Sequence, residues 1–191
     1  MLSSLTNVEF SDLRNIWIVA KVIANDDSGE TAGPKLQRIK VTVPGLYETE
    51  SPWCWPLQLS LFAGGQGAGF GTFGVPEIGS YVVIELQNGD PHYPVYIGTI
   101  LIQGNQITEA GTNYPNRYGF KDSAGNIFYI DKTNGQKVTK YTHPSGTTIE
   151  INNAGNVTIN SVGTLNLIST GNMTITAPVV NMTGSGAVQL P

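Results

Sequence analysis

Few side chains in this chain can carry reaction chemistry. Its histidines are His92 and His143, and its one cysteine is Cys54. A single cysteine excludes an intrachain disulfide, and between Trp53 and Trp55 it reads as a small buried residue. No G-x-S-x-G elbow is present. Glu109 is the one carboxylate in residues 104–117, whereas glycoside hydrolysis needs a spaced pair. Residues 151–191 contain no Asp, Glu, Lys, Arg or His, so they offer no side-chain general acid or base and no strong metal ligand. Gly69, Gly71 and Gly74 formally match G-x-G-x-x-G. A pyrophosphate site would need a helix to start there, but Val75-Pro76-Glu77-Ile78-Gly79 and then a strand-like run follow. That stretch reads as a barrel loop. The expectation is a protein without catalysis, cofactor or metal.

Charge narrows the partners. Ten Lys/Arg against 14 Asp/Glu leave a formal net charge of -4. Residues 1–103 hold 5 basic and 10 acidic side chains, and residues 104–150 hold 5 and 4. A nucleic-acid groove needs a basic surface beneath its aromatics. Trp17, Trp53, Trp55, Phe62, Tyr81 and Tyr96 are available, but the local charge is negative. These rings therefore read as packing or protein contacts, and no specific nucleic-acid partner is expected. No apolar run reaches the roughly 18–20 residues of a membrane span, and the first ten residues do not read as a signal peptide.

The elements that must position these residues are strands. There are 23 Gly, 19 Thr and 16 Asn, with charged residues at 13%. That is a β-and-turn composition. Strand-like runs occur at residues 16–23, 38–43, 57–62, 81–86 and 94–102, separated by turn clusters such as Asn25-Asp26-Asp27-Ser28-Gly29 and Asn88-Gly89-Asp90-Pro91. Five short strands in about ninety residues suit an OB-type barrel.

A repeat governs the C-terminal third. Gly155, Gly163 and Gly171 are eight residues apart. Two and four positions after each stands an apolar pair, namely Val157/Ile159, Leu165/Leu167 and Met173/Ile175. Eight residues further back lie Ile149/Ile151, with Thr147 where the glycine would be. The alternation is that of strands with one apolar face. Eight residues make one strand and one corner, about one side of a three-sided β-solenoid, and four such units complete fewer than two turns in one chain. Three chains wound together complete several turns from the same residues. The expected trimer core is Ile149, Ile151, Val157, Ile159, Leu165, Leu167, Met173 and Ile175, with Gly155, Gly163 and Gly171 at the corners.

The run from Val75-Pro76-Glu77-Ile78-Gly79 through Tyr81-Val82-Val83-Ile84-Glu85, Gly89-Asp90-Pro91, Pro94 and Ile97-Gly98 resembles the OB domain of contractile-injection spikes. Those are the central spikes of phage baseplates and the VgrG-type spikes of type VI secretion. Arg38-Ile39-Lys40-Val41 and Ser51-Pro52-Trp53 fit the same pattern, so the resemblance spans roughly residues 14–103. Its signature turns are Pro76, Glu77, Gly79, Gly89, Asp90, Pro91 and Gly98.

The resemblance implies an all-β protein, an N-terminal OB-type five-stranded barrel followed by an intertwined trimeric (triple-stranded) β-helix. The implied domains are an OB barrel with an N-terminal arm (1–103), a linker (104–117), and a β-helix needle with its tip (118–191). Some relatives insert a lysozyme domain between barrel and needle, and a 14-residue linker cannot hold one. The implied function is that of a structural central spike in a contractile tail baseplate. As a homotrimer it would dock its OB end on the tail hub protein and pierce the target cell envelope. Its implied location is the virion tail, after assembly in the host cytoplasm. Related spikes often end in a metal-binding His-x-His pair; residues 184–191 have no histidine, so a separate PAAR-like tip protein is the expected cap. The alternative is a trimeric receptor- or glycan-binding tail fibre. It calls for exposed aromatic platforms, yet residues 142–191 contain no Phe, Trp or Tyr.

Overall fold

The computed structural model describes residues 13–14, 16–31, 35–57 and 72–183, and divides into two compact units, Met1–Gln106 and Ile107–Pro191. In the first unit, strands β1 (Ile18–Ala24), β2 (Lys40–Thr42), β3 (Trp55–Pro56), β4 (Tyr81–Leu86) and β5 (Pro94–Ile100) form one sheet in the order β2-β1-β4-β5-β3. Pairing is antiparallel except between β3 and β5. The two ends of this sheet meet. The Ile39 amide donates to the Cys54 carbonyl at 3.2 Å, and the Cys54 amide donates back to the Ile39 carbonyl at 2.7 Å. These two bonds close the curled sheet into a small barrel, which satisfies backbone groups that an open edge would leave to solvent.

Alternation in the sequence sets which side chains fill it. Ala20 and Val22 from β1, Val41 from β2, Val82, Ile84 and Leu86 from β4 and Tyr96 from β5 are all buried, joined by Ile39, Val43, Tyr47 and Cys54. The described strand nearest the run expected at residues 57–62 is β3, which ends at Pro56; residues 58–62 lie outside the described residues. So do Gly69 and Gly71 of the glycine-rich stretch, and residues 184–191.

The second unit begins with a short helix, α1 (Thr108–Gly111), within the expected linker. Five strands follow, β6 (Arg117–Lys121), β7 (Ile127–Asp131), β8 (Val138–Thr142), β9 (Thr148–Ile151) and β10 (Val157–Asn160), paired in chain order as an antiparallel meander. Here the single chain departs from the expected winding over 118–186: through Asn160 each strand folds back on the one before it. The turns explain why. Asp122, His143 and Asn152 each open a turn whose fourth residue is a glycine at positive φ, Gly125 (92°), Gly146 (93°) and Gly155 (82°). Each turn closes by the glycine amide donating to the opening residue's carbonyl, at 2.9–3.1 Å. Only glycine occupies that backbone region without cost. The turn glycine before β9 is therefore Gly146, one residue ahead of the Thr147 position the strict period marks. Gly163 and Gly171, equivalent to Gly155 in the repeat, are not at positive φ, and residues 161–183 form no strand.

Gly119, opposite Tyr129 in the β6–β7 ladder, is held for another reason. A Cβ there would overlap the Phe128 carbonyl oxygen and stand 2.7 Å from the Tyr129 Cα. Two backbones approach too closely for any side chain.

Candidate functional site: an uncovered apolar sheet face

Residues directly opposite in an antiparallel ladder point to the same side of the sheet. The register of the meander therefore sorts its side chains into cross-strand rows. One row runs Phe120, Phe128, Tyr141, Ile149, Ile159, and a second runs Tyr118, Ile130, Thr139, Ile151, Val157. Both lie on one face. The rows between and beside them belong to the other face: Gly119, Tyr129, Lys140, Glu150, Thr158, then Lys121, Ile127, Thr142, Thr148, Asn160, and Arg117, Asp131, Val138.

The two faces differ in chemistry. The first carries no ionised side chain. Phe120 and Phe128 stack with ring centroids 5.5 Å apart. Among the described residues no second layer covers the ends of the face: Phe120 is 63% exposed, Ile149 46%, Ile151 45%, Val157 66% and Ile159 50%, while Phe128, Ile130 and Tyr141 between them are half-buried. The opposite face holds the ion pairs. Lys140 Nζ meets a Glu150 carboxylate oxygen at 3.0 Å, and the Arg117 guanidinium lies 4.3 Å from the Tyr129 ring centre.

One end of that polar face is anchored to the segment before it. Asp131, 1% exposed, accepts hydrogen bonds from Asn113 Nδ2 at 2.7 Å, Arg117 Nε at 3.1 Å and the Thr133 amide at 2.9 Å. Hydrogen bonds from Thr133 and Asn113, with Arg117 behind them, hold its carboxyl well below the usual carboxylate range. A lowered pKa contributes stability above the group's ordinary value near 4, and that contribution is lost as pH falls through the lowered value. Asp131→Asn is therefore expected to lower the melting temperature of the second unit at pH 7 and to shrink the difference from the parent protein on acidification. Thermal unfolding followed by circular dichroism at pH 7 and pH 3 checks this, and equal melting temperatures at pH 7 would contradict it. Glu109, which has no evident partner in the sequence, is paired with Lys121 Nζ at 2.8 Å, and this bond lowers its pKa.

Among the expected core residues, Ile149, Ile151, Val157 and Ile159 come together on the apolar face. Leu165, Leu167, Met173 and Ile175 fall in the strandless segment, each at least half exposed. The register adds five residues that the eight-residue repeat did not mark: Tyr118, Phe120, Phe128, Ile130 and Tyr141.

The signature turns of the first unit are dispersed along its barrel. The Pro76 carbonyl accepts from Asn25 Nδ2 at 3.1 Å, and the Glu77 carbonyl accepts from the Ser80 amide at 3.1 Å. Gly79, at φ +90°, donates to the Val22 carbonyl at 2.9 Å and so aligns β4 beside β1. Gly89 (φ +80°) shapes the β4–β5 connection, where Asp90 takes the His92 amide at 2.8 Å and the Pro91 carbonyl accepts the Tyr47 hydroxyl. Gly98 lies opposite Val83 where the β4–β5 register slips. His143 is likewise spent on a turn, its Nδ1 accepting from the Ser145 amide at 3.1 Å. Cys54 is buried, and burial pushes its thiol up to about 11, which leaves it inert at neutral pH. Among the described residues no cluster of His, Cys, Asp or Glu is arranged to hold a metal.

A closed five-stranded barrel built on these turns, followed by a separate β meander, defines an OB-domain protein with a β extension. Residues 18–101 match the family model of the type VI secretion system/phage-baseplate injector OB domain. That match lies within the N-terminal unit, which is thus similar to this injector OB domain. A search of curated proteins returned no match.

Proposed function

We propose that the protein is the non-enzymatic central spike of a contractile tail baseplate and works as a homotrimer in the virion tail. The OB unit docks on the tail hub, and the second unit is the needle that pierces the target envelope during injection. The observation that carries this reading is the uncharged apolar face of the meander, much of which the described residues of one chain leave exposed. Its rows continue, at eight-residue spacing, into the unpaired apolar positions Leu165 to Ile175. A monomeric soluble protein rarely exposes so long an apolar strip. Three copies turning these faces to a common axis cover them all, and the absence of ionised groups lets identical surfaces meet without like-charge repulsion.

The family of the OB unit supports the baseplate setting and association with other baseplate proteins. A needle needs stiffness, and on its outward face Thr142, Thr148, Thr158 and Asn160 add uncharged hydrogen-bonding groups beside the Lys140–Glu150 ion pair. Light scattering on the purified full chain is expected to give about three times the chain mass of 20.4 kDa. A stable particle of single-chain mass would remove the basis of the reading.

A further inference from the structure

We propose that the groove beside the β7–β8 turn is a binding site for phosphate monoesters, held by Lys132 and Lys137. The inference stands on the meander alone and is independent of the trimeric reading above.

Register places the two lysines together. β7 and β8 pair as far as Asp131 opposite Val138, and the turn between them closes with the Gln136 amide donating to the Thr133 carbonyl at 3.0 Å. Continuing that register by one step puts Lys132 opposite Lys137. The flanking segments hold both in place. The Lys132 amide donates to the Asn116 carbonyl at 3.0 Å, and the Lys137 amide donates to Asn153 Oδ1 at 3.2 Å. Like charges directly opposite across two strands repel. The other lysines of the second unit each have a carboxylate: Lys121 meets Glu109 at 2.8 Å and Lys140 meets Glu150 at 3.0 Å. Among the described residues neither Lys132 nor Lys137 has one. The fold thus keeps two unmatched cations side by side, an arrangement that an anion would relieve.

The surroundings select an anion with several oxygens. Both lysines line an open groove of about 360 Å³, together with Thr139, Asn152 and Asn153. Asn152 Oδ1 accepts from the Ala154 amide at 2.9 Å and the Asn156 amide at 3.1 Å, and Asn153 Oδ1 is taken by the Lys137 amide. Each carboxamide therefore spends its oxygen on backbone and keeps its NH2 group, a pure donor, for a ligand. Asp131 borders the same groove, but it is 1% exposed and both its oxygens are engaged, Oδ2 by Asn113 and Arg117 and Oδ1 by the Thr133 amide. Glu150, the carboxylate of β9, is held by Lys140. What faces a ligand is two ammonium groups, two amide NH2 groups and a hydroxyl.

Charge decides the class. A phosphate monoester carries about −1.5 to −2 at pH 7 and presents three terminal oxygens. Two lysines match that charge, whereas a phosphodiester or a carboxylate leaves one ammonium unmatched. Lysine meets phosphate as a point charge with rotatable donors, so the pair needs no fixed fork geometry. Because the groove is open, the attraction weakens with salt.

The same group occurs on soluble esters and on phosphatidate headgroups, and the test has an arm for each. It uses the full chain, its Lys132→Gln/Lys137→Gln variant, and a Lys21→Gln/Lys35→Gln control that loses the same charge from the first unit. In calorimetric titration at low salt, inorganic phosphate is expected to bind parent and control alike and the Lys132/Lys137 variant at least about tenfold more weakly. Binding to the parent should weaken at pH 5, where phosphate has lost its second charge. Without phosphate the variant should melt no lower than the parent, since it has lost a repulsion. The second arm compares vesicles of phosphatidylcholine carrying phosphatidate with vesicles carrying the diester phosphatidylglycerol. Capture by phosphatidate supports the proposal and assigns the site to headgroups; phosphate binding without vesicle capture supports it and assigns the site to soluble esters. Failure of the parent to bind either probe, equal phosphate affinity in the Lys132/Lys137 variant, or equal capture by phosphatidylglycerol would overturn the proposal. A variant that melts well below the parent would do so too, because it would show the two lysines to be matched within the fold.

Discussion

Alanine in place of Asp27 is expected to remove about 3 kcal/mol from the stability of the N-terminal unit. Asp27 and Arg38 are 4% and 6% exposed, and Arg38 Nε donates to Asp27 Oδ2 at 2.8 Å. The same oxygen accepts the Leu36 amide at 3.0 Å. The guanidinium lies 5.7 Å from the ring centre of Trp53 and 5.2 Å from that of Trp55, the residues that flank the barrel-closing Cys54. Burial works to raise the Asp27 pKa, but the hydrogen bonds from Arg38 and Leu36 outweigh it and the pKa is lowered. The carboxylate is thus ionised at neutral pH. Removing it takes the paired charge from a buried guanidinium and the acceptor from a backbone amide, which is more costly than losing an exposed ion pair. Asp27→Asn keeps an acceptor for Leu36 and should lose less. Because the folded pKa is lowered, the pair stabilises above the ordinary value near 4 and fails as pH falls through the lowered one. Urea unfolding followed by tryptophan fluorescence measures the difference at pH 7. A change under about 1 kcal/mol would show the pair to behave like a surface one.

This pair also marks a boundary of what the sequence discloses. Asp27 lies in a turn cluster and Arg38, eleven residues on, lies two residues before β2, and no spacing rule joins them. The same holds for Asp131 with Asn113 and Arg117. Strands with clear alternation were legible: β1, β2, β4 and β5 lie within or beside their expected runs, and the Gly89-Asp90-Pro91 turn joins the last two as expected. β3 was not, because two residues, one of them a proline, are too few to show a period. In the meander the eight-residue repeat found Ile149, Ile151, Val157 and Ile159. It passed over Phe120, Phe128 and Tyr141, because the turns before Gly146 are unevenly spaced. Only the strand register aligns those rings with the aliphatic row. The repeat also equates Gly155 with Gly163 and Gly171, although the backbone distinguishes them.

Aspartate at Ile149 is expected to abolish the proposed trimer at neutral pH. Ile149 is the middle of the aliphatic end of its row, opposite Tyr141 on one side and Ile159 on the other. Losing a buried isoleucine removes about 1.5–3 kcal/mol of apolar burial per chain. The larger effect is the charge. Threefold symmetry would bring three carboxylates together in an apolar interior, where each ion costs several kcal/mol to desolvate and repels the other two. The folded single chain, in which this position is 46% exposed, pays little of that, so dissociation is the favoured response. Protonation would relieve the repulsion, so the variant should recover part of its mass as pH falls below about 4. Thr148→Asp is the control: it lies one residue away on the opposite face, in the row of Thr142 and Asn160, and should remain trimeric at every pH tested. Light scattering across pH 3–7 reads both variants. An Ile149→Asp protein of three-chain mass at pH 7 would show that this face does not meet its copies, whereas dissociation of Thr148→Asp alone would place the contact on the polar side of the sheet.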